Sequence, residues 1–259
     1  MNKKEKLIKL YQQNSKHSNY QVIPAVLKGI IPEDEINVTS RFEIERMSFL
    51  KNNIDFTGKR VLDIGGNTGF FSFESIEADA SHVDYIEGNS AHANFVKEAS
   101  SYLDKNIEVY NSYLDFESDL PNNSYDIVLL FNVLHHFGDD YGDKSVSVEL
   151  AKAKMIDSIN YFSGKTDYLV LQLGFCWKGD RNSLLFENGT KKEMIDFVSE
   201  AIKDKWKIEV VGVAEEFEEK TAYHPLTNEN IIRKDALGEF RNRPIFILKP
   251  YKFEQETSR

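Results

Sequence analysis

The sequence predicts an α/β chain: a doubly wound, mostly parallel sheet of seven strands, preceded by an N-terminal helical segment over residues 1–57. Three observations carry that expectation. Arg60 to Gly88 reads as apolar strand, Gly-rich turn, helix, second strand and acid, which is half of a nucleotide-binding α/β unit. Tyr125 to Phe131 is a near-continuous apolar run, the pattern of a central parallel strand buried on both faces. Between such runs lie stretches of helical period, so strands and helices alternate as parallel sheets require.

Taken in order, Lys3 to Gln13 places Leu7, Ile8, Leu10 and Tyr11 at the spacing of a short amphipathic helix. Gln21 to Ile31, with Pro24 inside and Pro32 just beyond, is broken structure or a short helix between turns. Ser40 followed by Glu43 is a capping-box pattern opening a helix to about Asn53, with Ile44, Met47, Leu50 and Ile54 on one face. Arg60 to Ile64 is the first strand, Phe70 to Ala78 the first crossover helix and His82 to Ile86 the second strand. Ser90 to Leu103 is the next helix, with Ala91, Phe95, Ala99 and Leu103 inward, and Ile107 to Asn111 the third strand. Pro121 to Ser124 is a turn before the fourth strand. A helix lies within Asp143 to Gly164, with Val148, Ala151, Met155, Ile159 and Phe162 on one side; Tyr168 to Leu173 follows as a strand and Lys191 to Lys203 as a helix. Lys207 to Val213 and Pro244 to Lys249 alternate as edge strands do, the last able to insert antiparallel. Between them Ala214 to Arg243 is an insertion too long for an ordinary hairpin loop, and such loops usually have a function or structure of their own.

The turn after the first strand narrows the ligand. A dinucleotide site uses G-x-G-x-x-G so that bare backbone approaches a pyrophosphate, but Asn67 and Phe70 occupy the second and third positions here. Two carboxylates, Asp63 and Glu87, flank the turn instead. They suit a cationic ligand with a ribose and no phosphate, for which an ionised carboxylate supplies acceptors only. S-adenosylmethionine, with its sulfonium, ammonium and ribose diol, has that chemistry.

Val61 to Gly69, VLDIGGNTG, resembles the first motif of the class I S-adenosylmethionine-dependent methyltransferases. Tyr85-Ile86-Glu87-Gly88 resembles that family's ribose-binding acid, and Tyr125 to His136 its fourth strand and following loop. The resemblance covers about residues 55 to 215 plus a last strand, with Asn67 replacing the usual middle glycine and Asp79 standing where the helix often ends on Gly. It implies a Rossmann-like methyltransferase domain over 58–259, with insertion 214–243 and with 1–57 as a lid that places Tyr20 and Arg41 near ligand. The cofactor would then lie against Asp63, Gly65, Asn67, Gly69 and Phe70, with Glu87 and Gly88 at the ribose. Asp115, in the loop after the third strand, would meet the adenine amino group, and Asn132 the amino-acid end. S-adenosylhomocysteine is the implied product.

Methyl transfer to a hydroxyl benefits from a general base, and His135 and His136 follow the fourth strand where cofactor and acceptor would meet. Either serves as the catalytic candidate, His135 being preferred. His135, His136, Asp139, Asp140 and Asp143 also have metal-ligating side chains, but acidic loops are more often simply solvated, so no metal is expected. Trp177, Lys178 and Arg181, after the fifth strand, offer an apolar face and paired charges to a hydroxylated or phosphorylated acceptor. His224, Arg241 and Arg243 are weaker candidates for the acceptor wall.

The formal charge of −10 argues against a general nucleic-acid binder, because no basic field draws in phosphates. A single cysteine, Cys176, permits no internal disulfide and agrees with a reducing cytoplasm. The start MNKKEKLIKLYQQ has no apolar stretch of signal-peptide type, and no run approaches the ~20 apolar residues of a membrane span. The expectation is a cytoplasmic monomer or homodimer that O-methylates a small hydroxylated acceptor, such as a sugar or nucleotide-sugar of a bacterial surface polysaccharide. Its alternatives are an RNA (tRNA)-modifying methyltransferase, since the Asn67 turn also resembles some of those, and a non-catalytic cofactor-binding protein.

Overall fold

A computed structural model describes residues 2–13, 17–18, 20–32 and 36–251. Its sheet has strands β1 (Arg60–Ile64), β2 (His82–Ile86), β3 (Ile107–Tyr110), β4 (Tyr125–Phe131), β5 (Thr166–Gln172), β6 (Trp206–Phe217), β7 (Lys220–Pro225) and β8 (Ile245–Pro250). They lie in the order β3-β2-β1-β4-β5-β8-β6-β7. β1 to β5 pair in parallel, and β8 enters antiparallel between β5 and β6. The doubly wound sheet stands as expected, with eight strands rather than seven. The additional strand comes from the stretch 214–243: β6 continues into it as far as Phe217, then turns into the edge hairpin with β7.

The central strands are buried on both faces, so neighbouring residues feed different cores. Ile127 and Leu129 belong to one apolar cluster while Val128 and Leu130 belong to the other; Val170 and Leu171, and Ile247 and Leu248, divide in the same way. The first cluster gathers α1 (Lys3–Tyr11), α2 (Glu43–Asn53), α3 (Phe70–Glu77) and α4 (Ser90–Leu103). The second gathers α5 (Val148–Tyr161) and α6 (Lys191–Ile202). No helix among the described residues is long and apolar enough to cross a membrane.

Helix starts follow their side chains. The Asn2 and Thr190 side chains each accept from the N–H of a glutamate three residues on, Glu5 and Glu193, which bonds back to the cap. Ser40, however, does not cap α2. The helix starts at Glu43 behind Phe42, whose φ is 61°, and Ser40 Oγ instead donates to the Glu43 carboxylate. That shift turns the helix, so Ile44 is exposed while Glu43 and Arg46 are buried beside Met47 and Leu50.

The N-terminal segment shares the first core rather than forming one of its own. Leu7, Tyr11, Ile23, Leu27 and Ile31 are buried in it, and the Tyr11 ring meets Phe95 of α4 edge-on at 5.3 Å. Phe49 of α2 lies against the bare backbone of Gly212 in β6, where a Cβ would fall 2.6 Å from the ring. Phe49→Ala should therefore cost about 3–5 kcal/mol, measured by denaturant unfolding, and should expose the segment before β1 to limited proteolysis.

Candidate active site

The carboxyl ends of β1, β2, β4 and β5 open into a cavity of about 510 Å³, inside the roughly 300–1,000 Å³ of small-molecule sites. It lies at the switch point of the sheet, where the strand order reverses from β1 to β4. Gly65 follows β1 with φ 65°, and any side chain there would collide with Val133 beyond β4, where Cγ2 lies 2.6 Å from an ideal Cβ. Asn67 also takes a positive φ, 54°, which asparagine tolerates.

Glu87 holds this turn. Its Oε2 accepts the Asn67 N–H at 2.9 Å and its Oε1 the Asn89 N–H at 2.7 Å. Each oxygen thus accepts one backbone N–H, and a carboxylate oxygen has a second acceptor direction, so Glu87 in the cavity wall has the capacity two vicinal hydroxyls need. Burial pushes the Glu87 carboxyl up to about 7 against the pull of these two N–H groups. Asp63 lies beneath, buried, accepting from Ser72 Oγ at 2.6 Å and pushed up to about 6 by burial. The N-terminal amides of α3 do not face ligand: Phe70 N–H and Thr68 Oγ1 donate to the Gln21 side chain, and Thr68 N–H to Asn67 Oδ1. A pyrophosphate would find those donors taken, so the turn fits a ribose and a cation, not a dinucleotide.

Asp63, Gly65, Asn67, Glu87, Gly88 and Asn132 all line the cavity. Gly69 and Phe70 do not: Gly69 starts α3 with φ 79°, and Phe70 is buried in the core. Asp115 is also elsewhere, exposed and capping its own turn through Glu117 N–H, Ser118 N–H and Ser118 Oγ, which hold its carboxyl down at about 2. From that loop it is Ser112, Tyr113 and Leu114 that reach the cavity.

Of the paired histidines, His135 is spent on structure. It is buried, its Nδ1 accepts the Gly174 N–H at 3.1 Å, and burial holds it far below its usual pKa. His135 does line the cavity, but the lone pair a base would use is occupied, so the geometry moves the preference to His136. His136 lines the cavity half-buried, its Nδ1 3.3 Å from Asp140 Oδ2. Trp177 is likewise corrected: it is not in the wall, and its Nε1 donates to Phe137 O at 2.8 Å. Lys178 and Arg181 do line the cavity. Of the weaker candidates, Arg243 lines it, whereas Arg241 pairs with Glu216 and His224 lies exposed on β7.

Arg46 and Gln172 had no sequence signal as site residues. Arg46, inside α2, is only 3% exposed. Its guanidinium stands 4.8 to 5.2 Å from the rings of Phe71, Phe131 and Phe240. Arg243 donates to Asn132 Oδ1 at 2.9 Å and to Glu239 at 2.6 Å, and Arg41 stacks between Tyr20 and Phe240. Gln172 Oε1 accepts from Asn132 Nδ2 at 2.9 Å, fixing the residue after β4.

This sheet order and this crevice give the chain the fold of the class I S-adenosylmethionine-dependent methyltransferases. No protein-family model and no curated protein matches it. Among solved structures it superposes on the bifunctional kinase-methyltransferase WbdD with a TM-score of 0.56 and 15% identity, over 94% of this chain and 46% of that one. Looser superpositions include an S-adenosylmethionine-dependent methyltransferase of Aquifex aeolicus (TM-score 0.47, 17% identity, 88% of this chain and 100% of that one). Another is a candidate RNA methyltransferase of Pyrococcus horikoshii (TM-score 0.48, 14% identity, 96% and 99%).

A ribose diol held by Glu87 alongside two backbone N–H groups requires the ionised form, since protonation turns one of the four acceptor positions into a donor. Affinity for S-adenosylhomocysteine should thus rise with pH through about 7, by about tenfold between pH 6 and 8, and level off above. Calorimetry should show Glu87→Ala binding at least ~10-fold more weakly and without that rise.

Proposed function

We propose that the protein is an S-adenosylmethionine-dependent methyltransferase that O-methylates a small hydroxylated acceptor, of the class of a sugar or nucleotide-sugar of a bacterial surface polysaccharide. The observation that carries the acceptor class is the pair of guanidiniums, buried Arg46 and half-buried Arg243, in the wall of the same cavity. Guanidiniums carry donors and no acceptor, so these side chains suit an oxygen-rich ligand. With Arg41, Lys178 and Arg181 in the same wall, an anionic group such as the diphosphate of a nucleotide-sugar meets the planar forks of the arginines and the point charge of the lysine. The cavity's small-molecule size and the formal charge of −10 favour such an acceptor over a long polyanion.

The residues divide the work. Glu87 takes the ribose hydroxyls, and Tyr113 and Leu114 flank the base. The turn from Gly65 to Asn67, with Asn132 opposite, orients the amino-acid end. When bound, S-adenosylmethionine supplies an electrophilic methyl group on a sulfonium: the acceptor oxygen bonds to the methyl carbon as the carbon–sulfur bond breaks and its electron pair stays on sulfur. The aromatic rings of Phe71, Phe131 and Phe240 exclude water around the reacting oxygen, and positioning supplies much of the rate. His136 with Asp140 activates the acceptor hydroxyl, and the hydroxyl proton leaves toward that pair. Residues 1–57 act as a lid, with Tyr20, Gln21 and Arg41 closing the cavity from above.

Incubation with methyl-labelled donor and a panel of nucleotide-sugars should label one of them. Labelling of RNA instead, with salt-dependent RNA binding, would overturn the acceptor class, and no labelling in cell extract would favour a non-catalytic role. His136→Ala should lower turnover about 100-fold or more while leaving S-adenosylhomocysteine affinity unchanged. His135→Ala should instead lose about 1–3 kcal/mol of stability. Full turnover in both variants would place hydroxyl activation on other residues.

A further inference from the structure

His17, His136 and Asp140 converge at the mouth of the cavity, and all three line it. They come from the N-terminal segment, the short 3-10 turn after β4 and the loop beyond. One carboxylate oxygen, Asp140 Oδ2, lies 3.3 Å from His17 Nε2 and 3.3 Å from His136 Nδ1, and each of the three residues offers a ligand atom within 4.8 Å of the other two. A charge-assisted N–H···O⁻ bond closes to about 2.7–2.9 Å, so both contacts are long for ion pairs. They match another geometry. Nitrogen and oxygen ligands about 2.0–2.1 Å from a tetrahedral cation stand roughly 3.3–3.4 Å apart.

The backbone supports the arrangement. Asn67 Nδ2 donates to the His17 carbonyl at 3.0 Å, so the glycine turn itself holds His17 over the cavity. The His17 and His136 rings meet edge to face, with centroids 5.2 Å apart, and each brings one nitrogen to Asp140 Oδ2. The set differs from the acidic run visible in the sequence. His135 is turned to Gly174, and Asp143 caps Ser145 through its N–H and hydroxyl. The third ligand comes from the far end of the chain.

We infer that His17, His136 and Asp140 form a binding site for a divalent first-row transition cation of the Zn²⁺ type, which ties the N-terminal segment to the loop after β4. Two imidazoles and one carboxylate suit such an ion, whereas Mg²⁺ and Ca²⁺ prefer oxygen ligands. Three protein ligands leave a fourth position, and it opens on the cavity. The inference departs from the expectation of no metal and rests on the proposed methyltransferase in one respect: it makes His136 a ligand, so the activation assigned to it comes from the cation. An acceptor hydroxyl in the fourth position releases its proton to water at a lower pH than a free hydroxyl does, and its oxygen is then the nucleophile.

The test uses tag-free protein stripped with a chelator and dialysed. Titration with Zn²⁺ in a calorimeter should show one equivalent bound. Co²⁺ as a probe should give the visible absorption of a tetrahedral site. Zn²⁺ should raise the melting temperature of the wild type, and His17→Gln and Asp140→Asn should each weaken its binding at least ~10-fold while melting normally without metal. No stoichiometric uptake, or uptake unchanged in both variants, would overturn the site. Protein that binds S-adenosylhomocysteine but not Zn²⁺ leaves the proposed activity standing without the metal. Protein that binds Zn²⁺ but not S-adenosylhomocysteine refutes the activity and keeps the metal site.

Discussion

The carboxylate of Glu87 joins three pieces of backbone that would otherwise be independent. Standing after β2, it accepts the N–H of Asn67 in the turn after β1 and the N–H of Asn89, which caps α4. Tyr85, one pleat earlier on β2, donates its hydroxyl to the Asn67 carbonyl from beneath. The turn is therefore gripped through both its N–H and its C=O by the neighbouring strand. The grip leaves a carboxylate partly desolvated at the floor of a cavity, which is why its proton is held to about 7. A diol arriving there replaces the lost water, so the same strain that raises the pKa favours the ligand.

On the other side of the crevice the organising residue is Asn132, with φ 59° directly after β4. Its amide oxygen accepts from Arg243 and its amide nitrogen donates to Gln172, so the ends of β4 and β5 and the chain entering β8 meet on one side chain. The insertion of β8 beside β5 is what brings Arg243 there. Phe240, in the short helix α7 (Gly238–Arg241), then presents its ring to Arg41, Arg46 and Arg243. The long insertion thus supplies one edge strand, β7, and part of the cavity wall.

Several expectations failed for one reason: local sequence does not say where a side chain points once a loop turns. Asp115 sits one residue beyond the part of its loop that reaches the cavity, and the nearby Ser118 gives it closer donors than any ligand. Trp177 has the composition of an acceptor platform, but its indole N–H finds the Phe137 carbonyl and pins two loops together. His135 and His136 are adjacent and both line the cavity, but His135 packs on the bare backbone of Gly174, where a Cβ would strike its ring at 2.7 Å, and its Nδ1 is taken by the Gly174 N–H. Ser40 and Glu43 have capping-box spacing, yet the buried Arg46 draws the Glu43 carboxylate to 3.4 Å and the helix begins later.

By itself, the sequence determined the kind and order of nearly every element, the glycine turn and the acid after β2. These rest on periodicity and on bonds between near neighbours, which operate whatever the rest of the chain does. Tertiary structure alone decided that His17 meets Asp140, that Arg46 is buried beside Phe240 and that Gln172 braces Asn132. Such meetings depend on the sheet order and on which helix face packs down, and these minimise exposed apolar surface over the whole molecule rather than within any window of the chain.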